Sequence, residues 1–137
     1  MQPFSKNIYG RLFIPKDRQL LIDISRNHDI ISAMEPIDVF KALSNETRLN
    51  ILKWLKHPED NFPKQGAHIP KGVEFVGGVC VGDIKEKANV SQSTVSSYLN
   101  MMQKAGLLES YRYGQWTYYR RNEKTIDDIR NYFKLEF

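Results

Sequence analysis

Few residues here can do covalent or redox chemistry. The 137-residue chain has one cysteine, Cys80, and three histidines, His28, His57 and His68, spread along its length. A single cysteine excludes an intramolecular disulfide and suits a reducing compartment. The cysteine has no histidine beside it and no glycine-rich phosphate loop is present, so neither a nucleophilic site nor a nucleotide-binding enzyme is indicated, and no cofactor is expected. No apolar run reaches membrane length, and the N-terminus lacks a signal-peptide core. These absences predict a cytoplasmic protein with no membrane partner, of a length that suits one modest core.

Charge is unevenly distributed. The net charge is +4, and residues 83–121 hold six Lys and Arg against three Asp and Glu, the largest positive excess of any stretch. Such an excess suits a polyanion partner without establishing one.

That same stretch carries the clearest pattern. Val81, Ile84 and Ala88 give a short amphipathic helix stopping at Asn89, and Ala88-Asn89-Val90-Ser91 has the length of a helix-turn-helix turn. Ser91 is placed to cap a second helix through its hydroxyl. At about 100° per residue, Val95, Tyr98, Leu99 and Met102 fall on one face, and Ser93, Ser97, Asn100 and Lys104 on the other. The outer face is built from short hydroxyl and amide groups, which let a helix backbone approach a groove floor and bond base edges or phosphates. A solvent-facing helix that is merely serine-rich is the alternative for this helix alone. Downstream, Gly106 ends the helix, and Tyr111-Arg112-Tyr113 and Trp116-Thr117-Tyr118-Tyr119 flank Gly114-Gln115 as a hairpin. Helix, turn, helix and basic aromatic hairpin together lay out a winged helix-turn-helix, mainly α with a small β-hairpin.

Three motifs carry a family resemblance: Ala42-Leu43-Ser44-Asn45-Glu46-Thr47-Arg48-Leu49-Asn50-Ile51-Leu52, Val90-Ser91-Gln92-Ser93-Thr94-Val95-Ser96, and Gln103-Lys104-Ala105-Gly106-Leu107-Leu108. Over roughly residues 36–135 the chain resembles the ArsR/SmtB family of bacterial winged-helix repressors. The resemblance implies a DNA-binding transcriptional repressor that dimerises through its N- and C-terminal helices, with Gln92, Ser93, Ser96 and Ser97 facing DNA. With the helical reading it gives a candidate double-stranded DNA interface of Ser91, Gln92, Ser93, Thr94, Ser96, Ser97, Asn100 and Lys104, and of Arg112 and Gln115 on the wing. Where the family commonly has histidines, this chain has Ser97-Tyr98.

The metal arrangements of the family are incomplete. Soft metals are captured by a Cys-x-Cys pair, and here Cys80 is followed by Val81 and Gly82. The other arrangement uses Asp and His on the last helix, and residues 123–137 contain no histidine. Cys80 remains a weak candidate for a sensor thiol, or an inert buried cysteine. His57, Glu59, Asp60 and His68 are too irregularly spaced for a compact ligand motif.

The rest of the chain divides into an arm with an added helix over residues 1–35, and the DNA-binding domain over 36–137 with a loop inserted at 57–79. The helix of the first part is expected over 17–33. Pro36–Leu43 reads as a helix with its proline in the first turn. Asn45–Lys56 reads as a buried helix capped by Ser44, with Arg48 in a structural ion pair. Prolines and glycines exclude a long helix from the inserted loop, which leaves room for one strand at Val73–Val76. A last helix, Lys124–Phe137, lines up Ile126, Ile129, Phe133 and Phe137 with Tyr132 alongside, an apolar stripe suited to a homodimer interface. An unknown small-molecule effector is one candidate signal; the alternative readings are a metal- or redox-responsive regulator using Cys80 and a winged-helix module that binds protein.

Overall fold

Val39, Ile51, Ile84, Val95 and Met102 are fully closed off from solvent and meet in one core with Leu99, Leu107 and Leu108. In the computed structural model, residues 34–66, 69 and 71–137 are described, and the expected helix over 17–33 lies outside them, as does His68. The elements that supply the core are α1 (Pro36–Leu43), α2 (Glu46–Trp54), α3 (Pro58–Asn61), β1 (Val79–Cys80), α4 (Val81–Ala88), α5 (Gln92–Lys104), β2 (Leu108–Tyr113), β3 (Trp116–Arg121) and α6 (Glu123–Glu136).

Pro36 opens α1, where a missing N–H costs nothing, and the helix turns Val39 and Ala42 inward. The next helix is capped by Asn45, not by Ser44. Asn45 holds the extended backbone of a cap (φ −147°, ψ 131°), and its side chain accepts from the Arg48 N–H at 3.0 Å. The Ser44 hydroxyl is instead donated back to the Lys41 carbonyl at 2.7 Å. Ile51, Leu52 and Leu55 are buried as expected, while Leu49 faces outward at 36% exposure.

Arg48 departs from its expected role. Its described hydrogen bonds run not to a carboxylate but from Nε to the Ala42 carbonyl at 2.7 Å and from Nη2 to the Lys41 carbonyl at 3.2 Å. The last carbonyls of a helix have no partner within it, so a cation at that end satisfies them and complements the dipole.

The inserted loop contains one turn of helix, α3, and no strand at Val73–Val76. Gly77 adopts φ 78°, and the Gly78 N–H donates to the Phe75 carbonyl, so the chain turns there before it can pair. A side chain at Gly78 would place a Cβ 2.4 Å from the Phe75 ring. Pairing begins at Val79 and Cys80, opposite Tyr119 and Tyr118, and converts the expected hairpin into a three-stranded antiparallel sheet of order β1-β3-β2. Phe62 anchors the loop in the core, and Phe75 and Gln65 tie it down further along. Phe75 lies under the Arg120 guanidinium at 4.1 Å and beside the Tyr111 ring at 5.8 Å. Gln65 accepts from the Cys80 N–H at 2.8 Å and donates to the Asp83 carboxylate at 2.7 Å.

Helix α6 starts one residue earlier than expected, capped by Asn122, whose side chain accepts from the Thr125 N–H. Phe40 of α1 packs against Tyr132 and Phe133 at centroid distances of 6.2 and 5.6 Å. Phe133 and Phe137 nevertheless stay 48% and 88% exposed. Among the described residues no helix is long and apolar enough to cross a membrane.

Candidate nucleic-acid interface

Helix α4 ends on Asn89 in the left-handed conformation (φ 53°, ψ 50°), which reverses the chain with only Val90 left before the next cap, Ser91. Asn reaches that region more readily than other L-residues because its short side chain bonds locally. Ser91 then caps α5. Its Oγ accepts from the Thr94 N–H at 3.2 Å and donates to Thr94 Oγ1 at 2.8 Å. At the other end Gly106, at φ 84°, donates its N–H to the Gln103 carbonyl, and Leu107 donates to the Met102 carbonyl. This is a Schellman closure, and it delivers the chain into β2.

Between the caps the helix has two faces, as its period requires. Val95, Leu99 and Met102 are buried, and Gln92, Ser93, Ser96, Ser97, Asn100 and Lys104 are exposed. Thr94 is half-buried, and both it and Ser91 are engaged in the cap. Gln92 Nε2 donates to Ser96 Oγ at 3.2 Å, so these two side chains lie together along the helix. The helix contains no Asp or Glu, so nothing on it repels phosphate.

The wing comes back to the same helix. In the β2–β3 register Tyr113 faces Trp116, which leaves Gly114-Gln115 as a two-residue turn with Gly114 at φ 57°. A positive φ at the first turn position suits the right-handed twist of the strands. Gln115 at this tip shares a cleft of about 360 Å³ with Gln92 and Ser96 of α5 and with Cys80 and Gly82 at the start of α4. Arg112 is folded onto the turn, its Nε donating to the Gly114 carbonyl at 3.1 Å. Ser97, Asn100 and Lys104 open instead onto a second groove of about 410 Å³, shared with Asp38 and Lys41 of α1. Of the sequence-predicted positions, Gln92, Ser96 and Gln115 therefore line one flank of the helix and Ser97, Asn100 and Lys104 the other, while Ser91, Ser93 and Thr94 stand at its start and Arg112 on β2.

Other candidates are differently placed. Cys80 is half-buried and stands at the cap position of α4. Tyr118 beneath it is 1% exposed, and burial raises its phenol above the usual tyrosine range, with Cys80 and Asp83 adding to the rise. Donor atoms of His57, Glu59 and Asp60 lie within 4.8 Å of one another on exposed side chains. Sequence reasoning missed two supports of the interface. Gln103 Nε2 donates to Ser110 Oγ at 2.9 Å, linking the end of α5 to the wing. Gln65 holds the start of α4 from 15 and 18 positions away, and only spatial proximity could have revealed it.

Comparison with known proteins agrees with this geometry. Residues 77–110 match the family described as bacterial regulatory protein, arsR family. The chain is 46% identical over 104 residues to YbzH of Bacillus subtilis, an uncharacterized HTH-type transcriptional regulator, covering 75% of this chain and 99% of that protein. It is 32% identical over 95 residues to the transcriptional repressor SdpR of the same organism, covering 69% and 84%. A solved ArsR family transcriptional regulator shares the fold at a TM-score of 0.55 and 12% identity, covering 76% of this chain and 91% of the other. With its winged helix-turn-helix in place and near full-length relatives of this kind, the chain belongs to the ArsR family of DNA-binding transcriptional regulators, which are not enzymes.

Proposed function

We propose that the protein is a homodimeric repressor that acts in the cytoplasm on an inverted-repeat operator, with α5 of each protomer inserted into a major groove. One observation carries the reading: the exposed amide and hydroxyl side chains Gln92 and Ser96 share a cleft with Gln115 at the wing tip. Helix and wing thus offer DNA polar groups from both sides of one cleft. Ser93, Ser96, Ser97 and Gln92 face base edges and nearby phosphates. Asn100 and Lys104 continue that face along the helix, and Arg112 and Gln115 grip the flanking duplex. Ser91 and Thr94 set the start of the helix. Phosphate contacts fix register and most of the affinity, and a few base contacts select the sequence.

The dimer follows from the need to read more than a few base pairs. A two-fold pair presents its reading helices about 34 Å apart, one turn of duplex. Phe133 and Phe137 are the exposed apolar residues that a second protomer would cover. Repression accords with the relative named a transcriptional repressor. A small-molecule effector releases the operator in this scheme. A metal signal is less well supported, because Cys80 is the chain's only thiol.

Selection of bound sequences from a random duplex pool tests the reading, with Ser93→Ala/Ser97→Ala as the control. An inverted repeat enriched by the wild type and lost by the control supports it. Enrichment of no sequence by a verified dimer at low salt overturns it.

A further inference from the structure

A helix in a major groove lies between two phosphate backbones, and both need a protein partner if the helix is to be held in register. The described wing serves one side only. Gln92 and Ser96 turn toward it, whereas Ser97, Asn100 and Lys104 turn toward α1, across the groove shared with Asp38 and Lys41. Lys41 is exposed, and among the described residues no ion pair or hydrogen bond engages its ammonium.

The C-terminus of a helix ordinarily repels phosphate, because its last carbonyls carry about half a negative charge. At α1 that repulsion is removed. The Lys41 carbonyl accepts from Ser44 Oγ at 2.7 Å and Arg48 Nη2 at 3.2 Å, and the Ala42 carbonyl accepts from Arg48 Nε at 2.7 Å. The Arg48 guanidinium brings a full positive charge to this end, and it lies 5.0 Å over the Tyr98 ring of α5. One cation therefore neutralises the turn that carries Lys41 and docks that turn on the reading helix.

We propose that Lys41, outside the helix-turn-helix, binds the DNA backbone on the flank of α5 opposite the wing, and that Asp38 on the same wall tempers its hold. The inference rests on the DNA-reading role of α5. Lys41 on the α1 wall and Lys104 on the α5 wall, with Ser97 and Asn100 beside it, line a phosphate track. Arg48 is a positioning residue and does not touch DNA.

The test titrates wild type, Lys41→Gln and Asp38→Asn against the selected operator and a scrambled duplex of equal length, between about 50 and 200 mM salt. Both side chains are exposed, so the variants keep the fold, which circular dichroism verifies. Lys41→Gln should bind both duplexes about three- to tenfold more weakly, flatten the salt slope by about one per protomer, and select an unchanged operator. Asp38→Asn should bind both about twofold more tightly, because a like charge facing phosphate is gone. If Lys41→Gln matches the wild type in affinity and slope while the wild type binds its operator, the role of Lys41 is overturned and the reading helix stands. A changed operator preference in Lys41→Gln overturns it too, since a phosphate contact carries no sequence information. A wild type that binds neither duplex overturns both.

Discussion

The Arg48 guanidinium lies over the ring of Tyr98 at 5.0 Å while its nitrogens bond the carbonyls of Ala42 and Lys41. One 9%-exposed side chain thus joins the end of α1, the start of α2 and the half-buried face of α5. The arginine of the Thr47-Arg48-Leu49 motif is explained by this junction without any ligand.

Arg48→Lys should cost about 1 to 3 kcal/mol in urea unfolding. Lysine keeps the charge but loses the fork that reaches two carbonyls and the flat face that stacks. A cycle with Tyr98→Leu should return a coupling of about 0.5 to 1 kcal/mol. Additivity within error would show that the stacking contributes nothing.

Ser91→Ala and Ser93→Ala should separate stability from binding. Ser91 accepts from the Thr94 N–H, so its loss removes a cap worth about 1 kcal/mol. Ser93 is exposed on the outer face, where its loss should change stability by under about 0.5 kcal/mol while weakening operator binding about tenfold. Equilibrium unfolding and DNA titration of the two variants check this. Equal effects of both on both measurements would remove the distinction between capping and reading residues.

These residues also mark what the sequence makes visible. The period of α5, the caps at Ser91 and Asn89 and the turn at Gly114 are local signals, so helix, turn and wing are legible from spacing alone. Strand β1 is not, because two residues carry no period. Its place is decided by the turn at Gly77-Gly78 and by pairing with Tyr118 and Tyr119 about forty positions onward. The partners of Arg48 and Ser44 are illegible for the same reason, since choosing between a carboxylate and a carbonyl requires knowing where the preceding helix ends. The exposed face of α5 was readable, but its division between a wing cleft and an α1 groove depends on packing.

Gln65→Glu should destabilise more than Gln65→Ala at neutral pH. The Gln65 amide donates to the Asp83 carboxylate at 2.7 Å and accepts from the Cys80 N–H. Alanine removes these bonds and the one the amide donates to the Pro63 carbonyl, a loss of about 1 to 2 kcal/mol. Glutamate keeps the acceptor but sets a second carboxylate against Asp83, which both releases the loop and loads the start of α4 with unpaired charge. Trypsin should then cut at Lys64 or Lys71 faster in both variants, fastest in Gln65→Glu. Wild-type cleavage rates would show that the loop is held elsewhere, at Phe75.

Alkaline stability should depend on Tyr118. Burial is the first cause of its raised pKa, followed by Cys80 and Asp83, and Tyr119 is raised by burial as well. The folded state therefore holds the phenol proton more tightly than the unfolded chain does. Below the unfolded tyrosine value of about 10 both states are protonated, and the contribution is fully present. As pH rises past about 10 the unfolded state loses its protons first, so it binds fewer protons than the folded state and stability falls. Between about pH 7 and 9 this contribution is flat. Tyr118→Phe cannot ionise and keeps the ring in the core, so its urea midpoint should decline less steeply above about pH 10 than the wild type's. Parallel declines in the two proteins would assign alkaline unfolding to Tyr119 or to groups outside the sheet.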